Sequence, residues 1–135
     1  MRPELMNGLT LAYLGDAIFD VYIREYLICD RHIAKVNDLQ KTSVAYVSAV
    51  SQARFMKHAI EDHFLTEEEV RIYKRARNTK AHASSNKKTL THNQSTGFEA
   101  IIGTLYLQHN IERLEEIVEY YKKYVESVKD MPKGK

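Results

Sequence analysis

The chain has few of the turn residues, glycine and proline, that usually flank β-strands, and none of the long apolar runs found in membrane proteins. Its 135 residues include only 5 glycines and 2 prolines, and no alternating run of Val, Ile and Thr lies between turn residues. No apolar stretch reaches the ~18–20 residues of a membrane span. Periodic apolar segments of helical length fill most of the chain instead. We therefore expect an all-helical domain with no part in the membrane.

Cysteine is almost absent as well. Cys29 is the only one, so the chain cannot form an internal disulfide, which fits a reducing compartment. No secretory signal opens the chain. We therefore expect a cytoplasmic protein. A hydrophobic fraction of 44% and a charged fraction of 28% are typical of one globular domain with a real core.

Start signals for helices divide the chain. They predict a first helix at residues 9–29, with Asn7-Gly8 before it as the start signal, and further helices that begin at Asn37, Ser48, Thr66, Ser95 or Thr96, and Asn110. We expect these helices to form one domain at residues 1–130. Residues 79–94 are polar and lack periodicity, so we expect a long loop there. Residues 131–135 are expected to form a flexible tail.

Two apolar runs each carry one carboxylate in their middle. Asp16 lies in residues 11–19, and Glu99 lies in residues 98–107. Acidic side chains are almost never buried without a partner, because an isolated anion in the interior costs several kcal/mol or more. Neither run offers a Lys or Arg within helical reach, since the nearest to Asp16 is Arg24. A divalent cation is the obvious candidate to neutralise the two carboxylates.

These two runs also carry a resemblance to a known family. Residues 14–27 (LGDAIFDVYIREYL) resemble the signature helix of the ribonuclease III endonuclease domain, and residues 98–107 (FEAIIGTLYL) resemble its second metal-binding helix. The chain is most similar to the Mini-III ribonucleases, a short branch that lacks the double-stranded-RNA-binding domain. The resemblance therefore implies the all-α ribonuclease III endonuclease fold, as a helical homodimer, with residues 1–130 as the catalytic domain.

The chain departs from full-length ribonuclease III at two acidic positions. That family has a Glu four residues before the signature Asp, where Ala12 stands here, and an Asp three residues before the second-helix Glu, where Thr96 stands here. Mini-III enzymes look alike in this respect, so the departure favours that branch. Asp16 and Glu99 remain as the expected catalytic and metal-binding residues.

The resemblance implies a Mg²⁺-dependent endoribonuclease, with Mn²⁺ as a substitute, that cleaves double-stranded RNA and matures the 23S ribosomal RNA precursor. Mg²⁺ binds through one or two carboxylates together with waters and substrate phosphates. Asp20 and Thr96, each one helical turn from a candidate ligand, could contact waters around the ion. Asp20 could instead pair with a neighbouring cation, and Thr96 could be only a helix cap.

Positive charge is concentrated in one segment. The net charge is +2, yet residues 71–88 contain seven basic and no acidic residues, which leaves −5 for the rest. Duplex RNA is held mainly through phosphate contacts, whereas a merely solvated helix face usually carries both signs. We expect RNA contacts from Lys74, Arg75, Arg77, Lys80, Lys87 and Lys88.

A duplex has two strands, and the resembling family cuts both by dimerising around its signature helix. That family inserts the aromatic residue before Leu-Gly-Asp into its partner, and Tyr13 holds this position here. Gly15 would let two backbones approach closely. We expect Tyr13 and Gly15 at a dimer interface, with packing of Tyr13 in its own core as the alternative.

Two other functions stay open from the sequence. The absence of an acidic residue at Ala12 and at Thr96 is also what we would expect of a catalytically weak or inactive RNA-binding protein associated with ribosome assembly. The basic segment would also suit a helical module that binds an acidic protein. Cleavage of long duplex RNA with and without Mg²⁺ separates these functions from the first.

Overall fold

A computed structural model describes residues 2–79 and 86–128, and its regular structure there is entirely helical. The predicted all-α fold class is confirmed. A 3-10 turn (Pro3–Leu5) precedes the first helix, and a π turn (Tyr26–Asp30) extends it. The helices are α1 (Gly8–Glu25), α2 (Val36–Val47), α3 (Ala49–Glu61), α4 (Glu67–Asn78), α5 (Lys87–Leu107) and α6 (Ile111–Ser127). None of these described helices is both long and apolar enough to cross a bilayer.

Four helices begin at the polar residues that the sequence predicted. Asn7 precedes α1 and accepts from the Leu9 amide at 2.7 Å. Ser48 and Asn110 cap α3 and α6 through their side chains. Thr66 forms a full capping box with Glu69, in which each side chain binds the other residue's backbone amide. Side-chain oxygens here satisfy amides that have no partner within the first turn.

Two predicted boundaries are wrong. Helix α2 begins at Val36 without a side-chain cap, so the capping-box spacing at Asn37 is not used. Residues 87–94 are helical rather than loop, because Asn86 caps α5 and accepts from the Lys88 amide at 2.8 Å. Ser95 and Thr96 therefore lie buried inside α5 instead of capping it. The first eight residues of the helix lack hydrophobic periodicity because none of them is buried.

The core surrounds α5, which packs against α1, α3, α4 and α6. From Ser95 to Leu105 every residue of α5 except Glu99 is buried. The Phe98 ring meets Phe19 of α1 at 5.0 Å and Phe55 of α3 at 5.5 Å between centroids. Edge-to-face pairs of this kind stabilise a core beyond the area that they bury.

Helices α1 and α5 touch backbone to backbone. A Cβ added to Gly15 would lie 1.8 Å from the carbonyl oxygen of Glu99, and one added to Gly103 would lie 2.1 Å from the carbonyl oxygen of Leu11. No side chain fits at either place. This close crossing brings the residue after Gly15 next to Glu99.

An ion pair between the buried Glu69 and the half-buried Arg113 joins α4 to α6. The Arg113 guanidinium binds both carboxylate oxygens of Glu69 at 2.8 Å and also donates to the Phe64 carbonyl at 2.9 Å. Burial alone would raise the pKa of Glu69, but the bonds from Arg113 and the Thr66 amide outweigh it and lower the pKa. The buried charge of Glu69 is thus paired and hydrogen-bonded, as a buried carboxylate requires.

Candidate functional site

The α1–α5 crossing brings the carboxyl groups of Asp16 and Glu99 together. Glu99 is half-buried, whereas Asp16 is exposed. Burial raises the pKa of Glu99 to about 8, and the charge and hydrogen bonding of Asp16 contribute in the same direction. The expectation that both carboxylates are buried is therefore wrong for Asp16. Gly15 occupies the inward position at the crossing, and the next residue points about 100° further round the helix.

Asp20 is a third carboxyl group close to this pair. Burial raises its pKa, the charge of Asp16 raises it further, and Arg24 acts in the opposite direction. The Arg24 Nη2 lies 3.8 Å from the Asp20 Oδ2, so Asp20 does form the ion pair that the sequence left open as its structural role. Asp20 also contributes to the raised pKa of Glu99.

The two positions where ribonuclease III has further acids hold no acid here. Ala12 is buried on α1. The buried Thr96 hydroxyl donates to the His92 carbonyl of the preceding turn at 3.1 Å. The predicted role of Thr96 as a helix cap is wrong, because α5 begins nine residues before it. Its hydroxyl is satisfied within its own helix.

Gln52 of α3 is a site residue that the sequence reasoning missed. Its side chain is fully buried, and its Oε1 accepts from the Ser95 hydroxyl at 2.5 Å. Its Nε2 is close enough to Glu99 to lower the pKa of that carboxyl slightly, yet makes no hydrogen bond of standard geometry. A signal existed, since Gln52 precedes the core residues Phe55 and Met56 by one turn and so lies on the buried face of α3.

The donor set at this crossing fits a hard divalent cation. Two carboxylates side by side disfavour full ionisation, and no Lys or Arg is among the groups that act most strongly on Glu99. Within the described residues no group of three or more His, Cys, Asp or Glu side chains could hold a metal alone. Asp16 and Glu99 would thus supply few oxygens, and Mg²⁺ is the cation that accepts one or two carboxylates plus waters and phosphates.

The predicted basic residues lie at the end of α4 and the start of α5. Lys74 and Arg75 are exposed, and Arg77 is half-buried with its guanidinium 5.3 Å from the centre of the Tyr73 ring. Arg75 also has a structural task, because it donates to the backbone carbonyls of Glu4 and Met6 at 2.5 and 3.0 Å. The expectation for Lys80 falls outside the described residues, as does the tail at 131–135.

Lys87 and Lys88 are exposed in the first turn of α5. Because α5 rises about 1.5 Å per residue, Lys88 lies about 17 Å along the helix axis from Glu99. Helices α4 and α5 pack together, with the Tyr73 ring against Gly97. We call the exposed Lys74, Lys87 and Lys88 together with the half-buried Arg77 the basic edge. Its two lysines on α5 therefore lie several turns away from the Glu99 carboxylate.

The two predicted interface residues differ in exposure, because Tyr13 is exposed and Gly15 is buried. Tyr13 is 84% exposed, so it does not pack in the core of its own chain. Val21 and Ile28 are also exposed on the same side of α1 and its π turn. Gly15 is buried against α5 of the same chain, so its assignment to a dimer interface is wrong. Its lack of a side chain serves the internal helix crossing instead.

Three comparisons with known proteins show which proteins the chain is similar to. Residues 9–110 match the family described as Ribonuclease III domain. A Mini-ribonuclease 3 from Streptococcus pneumoniae is 44% identical over 124 residues, which cover 91% of this chain and 96% of that protein. One from Staphylococcus aureus is 43% identical over 116 residues, 85% of this chain and 86% of that protein. A crystal structure of a protein from Fusobacterium nucleatum matches with a TM-score of 0.74 and 35% identity, covering 88% of this chain and 93% of that one.

Proposed function

The chain belongs to the Mini-ribonuclease 3 branch of the ribonuclease III family, and on that basis we propose that it is a Mg²⁺-dependent endoribonuclease that cleaves double-stranded RNA. One observation carries the proposal. Helices α1 and α5 hold the Asp16 and Glu99 carboxyls together although burial and mutual repulsion oppose the ionised pair. Arrangements that raise a carboxyl pKa in this way are typical of functional sites.

Asp16 and Glu99 would hold the ion, which when bound supplies an activated water and stabilises charge on the phosphate. Asp16 is exposed and Glu99 is half-buried, so Asp16 offers the more accessible ligand and Glu99 the more rigid one. Asp20 stands one turn away and is the better candidate for contacting waters around the ion, because the Thr96 hydroxyl already donates within its helix.

The basic edge would bind the phosphates of the duplex. Lys87 and Lys88 stand at the N-terminal end of α5, where unpaired amides and the helix dipole favour anions. Lys74 and Arg77 extend the positive charge along α4. The Arg75 guanidinium also donates to the backbone carbonyls of Glu4 and Met6, so only part of it is available to a phosphate. Lys80 completes the proposed set. Neutralising phosphates supplies most of the affinity for a duplex.

The proposal includes a homodimer, because one site cuts only one strand. Tyr13 projects from α1 with 84% of its surface exposed. Beside the π turn lies an apolar groove lined by Leu27, Ile28, Val36 and Leu39 among others, which would suit the partner's aromatic ring. A two-fold interface of this kind uses the same residues on both subunits.

The family resemblance extends the proposal to the biological substrate. We assign the protein to maturation of the 23S ribosomal RNA precursor in the cytoplasm, where its single cysteine would stay reduced. The second candidate function is a catalytically weak RNA-binding protein of ribosome assembly. The lack of a three-acid group among the described residues is the observation that favours it.

The proposed activity is tested with long duplex RNA and two isosteric variants. Asp16→Asn and Glu99→Gln are each expected to lower the cleavage rate by about 100-fold or more, because each removes one of two anionic ligands. Glu25→Gln, which alters an exposed acid at the end of α1, should cleave like the wild type. Chelation should stop cleavage, and Mg²⁺ or Mn²⁺ should restore it.

Duplex binding and helical content of the two variants should match the wild type. A loss of cleavage then shows that the chemical step is impaired, and not the fold or the binding of RNA. Wild-type protein that binds the duplex but leaves it intact with either metal would favour the RNA-binding alternative. Cleavage by Asp16→Asn at the wild-type rate would exclude the proposed metal centre.

A further inference from the structure

Gln52 is a buried amide whose two ends have different surroundings. Its side chain has no exposed surface, its Oε1 accepts from Ser95 of α5, and its Nε2, which faces Glu99, makes no hydrogen bond of standard geometry within the described residues. A buried donor that lacks a well-formed hydrogen bond is costly to the folded state. Such a group in a native structure calls for a functional explanation.

The Ser95 hydroxyl decides which way the amide points. Ser95 lies one turn before Glu99 on α5, so both face the same side of that helix. With Oε1 held by Ser95 at 2.5 Å, the two N–H groups of Gln52 turn toward the Glu99 carboxyl, whose pKa the amide lowers. A flipped amide would present its oxygen to the Glu99 carboxylate, which is repulsive.

We propose that Gln52, fixed by Ser95, is a positioning residue that orients the Glu99 carboxylate for the divalent cation. One carboxylate oxygen would accept from the Gln52 amide, and the other would face Asp16 and the ion. Carboxylate ligands of metals are themselves held by hydrogen bonds, and loss of such a partner typically costs 10–100-fold in metal affinity or activity. This role rests on the proposed function of Asp16 and Glu99.

The proposal explains why a costly amide occupies the core of α3. Phe55 and Met56, one turn further along the same face, are fully buried apolar residues, and a leucine at position 52 would continue that surface. A structural role would require the amide to stabilise the fold. A positioning role requires that its removal weaken metal binding and leave stability unchanged or improved, since replacing both partners of a buried hydrogen bond by apolar groups can be neutral.

The test compares Gln52→Leu, Ser95→Ala and the double variant with wild type. All three are expected to raise the Mg²⁺ or Mn²⁺ concentration for half-maximal cleavage by about 10-fold or more. Mn²⁺ binding without RNA, followed by electron paramagnetic resonance, should weaken by a similar factor. Thr104→Val is the matched control, because Thr104 is a fully buried α5 hydroxyl bonded to its own helix at Ala100.

Thermal unfolding of the metal-free proteins separates the two roles. The double variant should melt at or above the wild-type temperature, and Ser95→Ala serves as the mild variant if Gln52→Leu folds poorly. Unchanged Mn²⁺ affinity in the Gln52→Leu and Ser95→Ala proteins would overturn the positioning role. If wild type itself fails to cleave or to bind Mn²⁺, the proposed function fails. If wild type cleaves normally and Glu99→Gln abolishes cleavage, the proposed function stands and the result bears only on the role of Gln52.

Discussion

The Glu99 carboxyl loses part of its hydration and faces a second carboxylate, Asp16, across the α1–α5 crossing. Its ordinary pKa of 4.5 is raised to about 8 by burial and by these acidic neighbours. Between those two pH values the folded metal-free protein holds a proton that the unfolded chain has released. Glu99 therefore lowers the free energy of unfolding progressively as the pH rises from about 4.5 to about 8. A bound cation would reverse this effect.

Glu99→Gln removes that penalty while keeping the shape of the side chain. In chelator, we expect the variant to melt roughly 3–8 °C above wild type at pH 8 and close to wild type at pH 5. Circular dichroism melts at the two pH values measure the difference. Glu61→Gln, an exposed acid at the end of α3, should show no such pH dependence. A Glu99→Gln effect of equal size at both pH values would contradict the raised pKa.

At the scale of helices, the site depends on how closely three of them approach. Helix α1 contributes Asp16, α5 contributes Glu99 and Ser95, and α3 contributes Gln52. Each of the two glycines at the α1–α5 crossing faces a backbone oxygen of the opposite helix. The carboxyl pair therefore exists only while these two helices stay in backbone contact.

Gly15→Ala tests that dependence. The new methyl group would lie 1.8 Å from the Glu99 carbonyl oxygen, so α1 and α5 must separate, because backbone cannot rotate away as a side chain does. We expect the melting temperature to fall by about 10 °C or more and cleavage to be lost. Thr10→Ala, at an exposed position of α1, is the control. Wild-type melting and cleavage by Gly15→Ala would refute the crossing.

At the scale of the whole molecule, charge and apolar surface are separated. The basic edge lies where α4 ends and α5 begins, while α1 and its π turn expose Tyr13, Val21 and Ile28. Exposed aromatic residues surrounded by apolar ones are typical centres of protein interfaces. This separation would leave the duplex-binding edge free when two copies join through α1.

Tyr13→Ala tests the proposed dimer. We expect the dissociation constant of the dimer to rise by roughly 30-fold or more, as for a central aromatic anchor. Light scattering coupled to size-exclusion chromatography over a dilution series measures it, and the melting temperature of the subunit should change little because Tyr13 is exposed. Val50→Ala, at a half-exposed apolar position on α3, should leave the mass unchanged. A dimer of undiminished affinity would place the interface elsewhere.

The part of the site that could be predicted from the sequence is the part encoded locally. Asp16 and Glu99 were identifiable because each interrupts an apolar run, and Asn7, Ser48, Thr66 and Asn110 because a cap needs only its own first turn. The sequence shows no helical signal for the first eight residues of α5, because none of them is buried and the half-buried ones are the polar Thr89, Thr91, Asn93 and Gln94. Hydrophobic periodicity carries no signal where a helix buries no apolar side chain.

The sequence by itself determined the helical class, the concentration of basic charge and the identity of the two carboxylates. Only the tertiary structure decided that Asp16 is exposed while Glu99 is half-buried, that Gly15 serves an internal crossing, and that Gln52 joins the site. The physical reason is distance along the chain. Asp16, Gln52 and Glu99 lie on different helices, and whether their side chains meet depends on the closest approach of those helices, which no local pattern encodes.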